Sequence, residues 1–210
     1  MPLYKTITVD ENAKVLIWKV QESESQLSEG IVLTPHCQKR MMGMKSELHR
    51  RGFLSIRHLL AEEGYVDHDL YYDEAGKPHL KDGKFISITH SHEFTGIIIS
   101  DSKEVGIDIE MQRDKILRIA NKYTPLEEYK TVANADALVR KLTIVWGAKE
   151  SLYKIYAQHG LSFLHHIDIT DFSLSDSETT GTILYKGKTS HYNIIFLEFE
   201  GYTCVYAIKN

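Results

Sequence analysis

The chain has 210 residues, 42% hydrophobic and 26% charged, with a formal net charge of −4. That length suits one large domain or two small ones with a buried core, and the charge lacks the basic surplus of a nucleic-acid partner. No run of about 18 consecutive apolar residues signals a membrane span, and Cys37 and Cys204, far apart and outside any CxxC pair, signal neither a disulfide framework nor a zinc knuckle. The opening MPLYKTITVDENAKVLIWKV alternates like a strand and has no long apolar leader, so a cytoplasmic protein is expected.

Strand-like alternation runs through Val15, Ile17 and Val20. The segment SELHRRGFLSIRHLLAEEG then predicts a helix ended by Gly64, with Leu48, Phe53, Ile56, Leu59 and Leu60 as its apolar stripe. In DEAGKPHLKDGK, Gly76, Pro78 and Gly83 break regular structure and put Lys77 on an exposed loop. KFISITHS and FTGIIISD predict two strands joined near Ser91 to Glu93, and VGIDIE a third. Helical patterns follow in ILRIANKY and in PLEEYKTVANADALVRKLTIVWGAKESLYKIYAQ, then strands in HHIDIT, GTILYKG, YNIIFLEFE and YTCVYAIK.

Helix followed by sheet thus occurs twice, predicting an α+β fold of two similar halves, residues 1–103 and 104–210, packed together with a cleft between them.

The chemistry concentrates in short segments. In an extended Val105–Glu110 segment, Val105, Ile107 and Ile109 point one way, while Asp108 and Glu110 share the other side with Gly106. Two adjacent carboxylates repel unless a cation neutralises them, and magnesium prefers oxygen ligands. Gly106 on that side is expected to leave room for a ligand. A solvated acidic face remains the simpler alternative for this pair alone. In WGAKESLYK, helical spacing aligns Trp146, Glu150 and Lys154, with Val145, Ala148, Leu152 and Ile155 on an apolar face. A simple salt pair between Glu150 and Lys154 explains that spacing equally well. His90, at the end of FISITHS, and Lys77 of GKP are suited to phosphate oxygens.

The ordered set GKPHL, FISITHS, VGIDIE and WGAKESLYK resembles the 4′-phosphopantetheinyl transferases, in particular the longer monomeric type that activates peptide and polyketide synthases. The resemblance implies a pseudo-twofold fold of two α+β halves and a magnesium ion held by Asp108, Glu110 and Glu150. It implies that Lys154, with Lys149 beside it, and His90 contact the coenzyme A phosphates. Lys77 and Pro78 match a segment near the adenosine, and Arg57 matches a helix arginine that holds the 3′-phosphate. Thr89 stands where the family has a serine and keeps a hydroxyl for phosphate.

The implied reaction is attack by a carrier-protein serine on the β-phosphate of coenzyme A, with 3′,5′-ADP leaving. Lys154 and His90 share the developing charge, and Glu150, or a magnesium-bound water that it orients, is the base. The partners implied are coenzyme A and an apo acyl or peptidyl carrier protein, with neither nucleic acid nor membrane. Lys39, Arg40 and Lys45, in a locally basic stretch, are expected to meet an acidic helix of the carrier. A non-catalytic coenzyme A binding relative and a metal-dependent phosphoesterase are the alternatives.

Overall fold

The computed structural model describes residues 3–125 and 134–210. They divide into two compact units, Met1–Ser102 and Lys103–Asn210, and the fold is α+β.

The first unit runs β1 (Leu3–Thr8), β2 (Ala13–Lys19), α1 (Glu24–Ser28), α2 (Pro35–Met42), α3 (Glu47–Glu62), β3 (Leu70–Tyr72), β4 (Pro78–Leu80), β5 (Phe85–Ser91) and β6 (Phe94–Ser100). Its antiparallel sheet has the order β1-β2-β6-β5, and β3 and β4 form a separate hairpin. Helix α3 lays Leu54, Ile56, Leu59 and Leu60 against Leu16, Trp18, Ile97 and Ile99 of β2 and β6. Burying such side chains stabilises the unit by about 1.5–3 kcal/mol each. Leu48, expected in the stripe, is 37% exposed, so the apolar face starts one turn later, at Phe53. Beyond the C-cap, Gly64 takes φ +81°, a conformation that stops the helix and that glycine adopts without strain.

The second unit contains β7 (Val105–Met111), α4 (Ala135–Tyr156), α5 (Phe163–His166), β8 (Ile167–Ile169), β9 (Glu178–Tyr185), β10 (Lys188–Phe199) and β11 (Tyr202–Lys209). Its antiparallel sheet has the order β7-β11-β10-β9-β8. Helix α4 begins where the Asn134 side chain accepts a hydrogen bond from the Ala137 amide, 2.9 Å away. The earlier part of the helix expected from Pro125 falls on residues 126–133, outside the described residues. ILRIANKY forms two short 3-10 turns rather than a helix, and His165 and His166 of HHIDIT close α5 before β8 begins. Val145, Ala148, Leu152 and Ile155 of α4 are all buried, as the helical spacing requires. No helix among the described residues is long and apolar enough to cross a membrane.

Candidate active site

Strand β7 is held by β11, with Asp108 opposite Val205 and Glu110 opposite Thr203. Alternation places Gly106, Asp108 and Glu110 on one side of the strand, and that side carries α4. A Cβ on Gly106 would stand 2.0 Å from the Ser151 carbonyl oxygen, and one on Gly147 would stand 2.8 Å from Val205 Cγ2. The room at Gly106 therefore admits the backbone of α4, which corrects the expectation that it admits a ligand. Two glycines, one on the strand and one on the helix, let α4 settle close enough for its polar side chains to meet those of β7. The hydroxyl of Ser151 adds a bond to the Val205 carbonyl at 3.0 Å.

At this contact the Lys154 ammonium donates to Asp108 Oδ1 at 2.8 Å and to the Ile107 carbonyl at 2.7 Å. Asp108 is buried, while Glu110 and Glu150 are half-buried. Burial, reinforced by the Asp108 charge, pushes the Glu150 carboxyl up to about 7 against the pull of Lys154. Burial and Asp108 raise Glu110 too, opposed by a hydrogen bond from Trp146 and the charges of Lys154 and Arg113. The ion pair of Lys154 is thus with Asp108 rather than with Glu150, on which it acts only through its charge. Cys204, on β11 opposite Ile109, is buried, and burial with the nearby Asp108 pushes its thiol well above the ordinary range. It packs as a small apolar group rather than a nucleophile.

Three carboxylates against the charges of Lys154 and Arg113 still leave an excess of negative charge, and hard oxygen donors of this kind suit magnesium. Among the described residues no three acidic, histidine or cysteine side chains converge into a set ready to hold an ion. The two observations are compatible. Magnesium usually takes one or two carboxylates, retained waters and substrate phosphates rather than an all-protein cage. By donor chemistry and unbalanced charge, the cluster fits that ion.

Lys149, adjacent in sequence, goes elsewhere. Its side chain is buried and donates to the carbonyls of Tyr123 at 2.6 Å, Phe163 at 2.8 Å and Ile167 at 2.7 Å. An ammonium held by three backbone carbonyls is structural, which corrects the expectation that it contacts coenzyme phosphates beside Lys154.

Within the first unit, His90 is exposed near the end of β5, its ring edge-on to His49 with centroids 5.8 Å apart. Thr89 is 4% exposed and points to the opposite side of the strand, so the two do not offer their polar groups from one face. Lys77 and Pro78 lie at the β3–β4 turn. There the Asp73 side chain accepts from the Lys77 amide at 2.9 Å, and Gly76 takes φ +82°. This is the loop expected from the GKP segment.

Arg57 departs from its expected role. It is 5% exposed and donates to Asp67 Oδ1 at 2.8 Å, to the Phe53 carbonyl at 3.0 Å and to Cys37 Sγ at 3.3 Å, with its guanidinium 3.5 Å over the Phe53 ring. Its fork is engaged inside the protein, so the assignment to the 3′-phosphate is corrected. Helical phase is the reason: Arg57 stands one turn from Phe53 and from Leu60, on the buried side of α3. Arg50 is paired with Glu24 at 2.9 Å, and Arg51 donates to the Glu22 and Val20 carbonyls. Lys39 and Arg40 of α2 instead line a cavity of about 490 Å³ together with His36, Tyr72 and Gly76. Arg40 lies 4.6 Å over the Tyr72 ring.

Sequence reasoning missed the packing roles of Gly106 and Gly147, the Trp146 bond to Glu110 and the cavity at Lys39 and Arg40. The glycine inside WGAKES was a usable signal, because glycine within a helix costs stability unless something approaches closely. No curated protein matches the chain. The family model of the 4′-phosphopantetheinyl transferase superfamily matches residues 104–207, about half of the chain. That stretch includes β7 with Asp108 and Glu110 and α4 with Glu150 and Lys154, and the chain belongs to the 4′-phosphopantetheinyl transferase superfamily.

Proposed function

We propose that this protein transfers the 4′-phosphopantetheine arm of coenzyme A to a serine of an apo acyl or peptidyl carrier protein, with magnesium, in the cytoplasm and as a monomer. The observation that carries the reading is that Asp108, paired with the Lys154 ammonium, lies near enough to Glu110 and Glu150 for its charge to raise both, in a chain of the phosphopantetheinyl transferase superfamily.

Asp108, Glu110 and Glu150 are the residues that would hold magnesium, which when bound neutralises charge on the diphosphate. Phosphoryl transfer is mainly positioning and charge stabilisation, and this chain's side chains supply both. Lys154 offers a cation to the departing phosphate. Glu150, whose carboxyl is raised toward neutrality, accepts the proton of the attacking serine hydroxyl directly or through water. The serine oxygen forms the new bond to the β-phosphorus, and the bond to the oxygen leaving with 3′,5′-ADP breaks.

His90 and Lys77 are proposed phosphate and nucleotide contacts, as the family resemblance implies, with Pro78 shaping the turn. Lys39 and Arg40, not Arg57, are proposed for the 3′-phosphate. They combine positive charge with an aromatic wall in a cavity bordered by the turn that carries Lys77. Lys45, exposed ahead of α3, is kept for the carrier.

The test is incubation of the pure protein with coenzyme A, magnesium and several apo carrier proteins, followed by intact-protein mass. A gain of one phosphopantetheine on a carrier, with release of 3′,5′-ADP, supports the reading. Coenzyme A cleavage without an adduct would indicate a phosphoesterase, and binding without turnover a non-catalytic relative.

A further inference from the structure

Lys149 lies between Ala148 and Glu150 on α4, yet its ammonium is turned into the protein, where carbonyls from three separate segments receive it. Tyr123 belongs to the turn before α4, Phe163 opens α5, and Ile167 opens β8. The rings of the first two flank Trp146: Tyr123 meets it edge-on at 5.0 Å and Phe163 tilted at 5.5 Å. The Tyr123 hydroxyl donates to the Leu142 carbonyl at 3.1 Å, tying its ring to α4 as well. Held in this way, Trp146 stands one helical turn before Glu150 on the stripe of α4 that also carries Lys154, where its indole acts as a nearby donor that draws the Glu110 carboxyl down. A continuous chain of contacts therefore leads from the Lys149 ammonium through two backbone carbonyls and two rings to Trp146 and on to an acidic residue of the cluster.

We propose that Lys149 is a positioning residue, which clamps Tyr123 and Phe163 around Trp146 and thereby sets the orientation of Glu110 without touching the coenzyme. The inference rests on the proposed role of Glu110 in holding a divalent cation. A buried lysine suits the task because its three donors splay as a compact tripod toward three carbonyls, whereas the donors of an arginine are confined to one plane. Outer contacts that orient a metal ligand control affinity even though they never meet the ion.

The experiment uses the full chain labelled with 5-fluorotryptophan, which gives two fluorine resonances because the protein has two tryptophans. Loss of one signal in Trp146→Phe assigns it. In Lys149→Met without metal, the Trp146 resonance is expected to shift and broaden while that of Trp18 stays in place. The affinity for Mn²⁺, measured with protein and metal alone, is expected to fall about tenfold, the usual effect of losing an orienting partner. The KM for coenzyme A is expected to stay within about twofold, since no coenzyme contact is removed.

An unmoved Trp146 resonance, or a raised KM with unchanged Mn²⁺ affinity, would overturn the proposal. Should Lys149→Met fail to fold, Phe163→Leu retains all three carbonyls and loosens only the packing on Trp146. It must then move the same resonance and weaken Mn²⁺ in the same direction, and no change in either refutes the clamp. If the unaltered protein binds no Mn²⁺, the metal reading of the site fails. The fluorine resonances of the metal-free variants then decide by themselves whether Lys149 holds Trp146.

Discussion

Gly106 of β7 and the Ser151 carbonyl of α4 are packed so closely that a methyl group on the glycine would lie 2.0 Å from that oxygen. The neighbour is backbone and cannot turn aside, so Gly106→Ala must displace the helix that carries Glu150 and Lys154. The expected cost is about 3 kcal/mol in urea denaturation, at the upper end for overpacking. Transfer activity should fall further than the unfolded fraction explains, and an alanine variant with unchanged stability would contradict the packing.

Glu150 gives a pH-dependent signature. Burial and the Asp108 charge raise its carboxyl from 4.5 to about 7, so the folded state binds this proton more tightly than the unfolded chain. The stabilisation is fully present below pH 4.5 and is lost as pH rises through 7. Glu150→Gln, measured without metal, should therefore be more stable than the parent at pH 8 by about 1–3 kcal/mol, after discounting for solvent screening, and no more stable at pH 4. Its transfer activity should be lost. Magnesium should raise the melting temperature of the parent at pH 8 and leave that of the variant nearly unchanged.

Asp108 and Lys154 form one ion pair at 2.8 Å and should behave as a coupled unit. Asp108→Asn is expected to stay folded and to lower transfer by about a hundredfold or more, the scale of losing a group that acts on transition-state charge. In a double-mutant cycle with Lys154→Met, the combined loss should be clearly smaller than the product of the two single losses. Full additivity would show that the two side chains act separately.

Arg57 should be a stability residue. Its pair with Asp67 has side-chain exposures of 3% and 1%. Arg57→Met leaves a buried carboxylate without its cation and should cost about 3–5 kcal/mol. Burial alone would raise Asp67, but the Thr34 amide and the Arg57 guanidinium override it and hold the carboxyl below 3.8. That contribution is present above 3.8 and lost as pH falls through the lower folded value, so the parent should gain acid sensitivity there and the variant should not. In the folded variant the KM for coenzyme A should be unchanged.

Lys39 and Arg40 are the complementary test. Reversing both charges should raise the KM for coenzyme A about tenfold or more, and more at low salt than at high, with little effect on stability. Reversal of Lys45 should act on the carrier instead. If the Lys39 and Arg40 reversals change only the KM for the carrier, the cavity they line belongs to the protein partner.

The periodicities that define α3, β5, β6, β7 and α4 are legible in the sequence because each rests on local spacing, and the order of four short motifs carries the resemblance to the superfamily whose model matches the chain. Spacing of four also put Trp146, Glu150 and Lys154 on one stripe of α4, as the structure has it. What local spacing cannot encode is which partner a polar side chain finds across the fold. Arg57 and Lys149 look from the sequence like cations available for phosphate. Tertiary packing encloses one with Asp67 and the other with three carbonyls, because a buried charge must be satisfied where it lies. Gly106 reads equally well as space for a ligand or for a helix, and only the approach of α4 decided between them. The raised carboxyl of Glu150 likewise follows from burial beside Asp108, two residues 42 positions apart in the chain that the fold alone brings together.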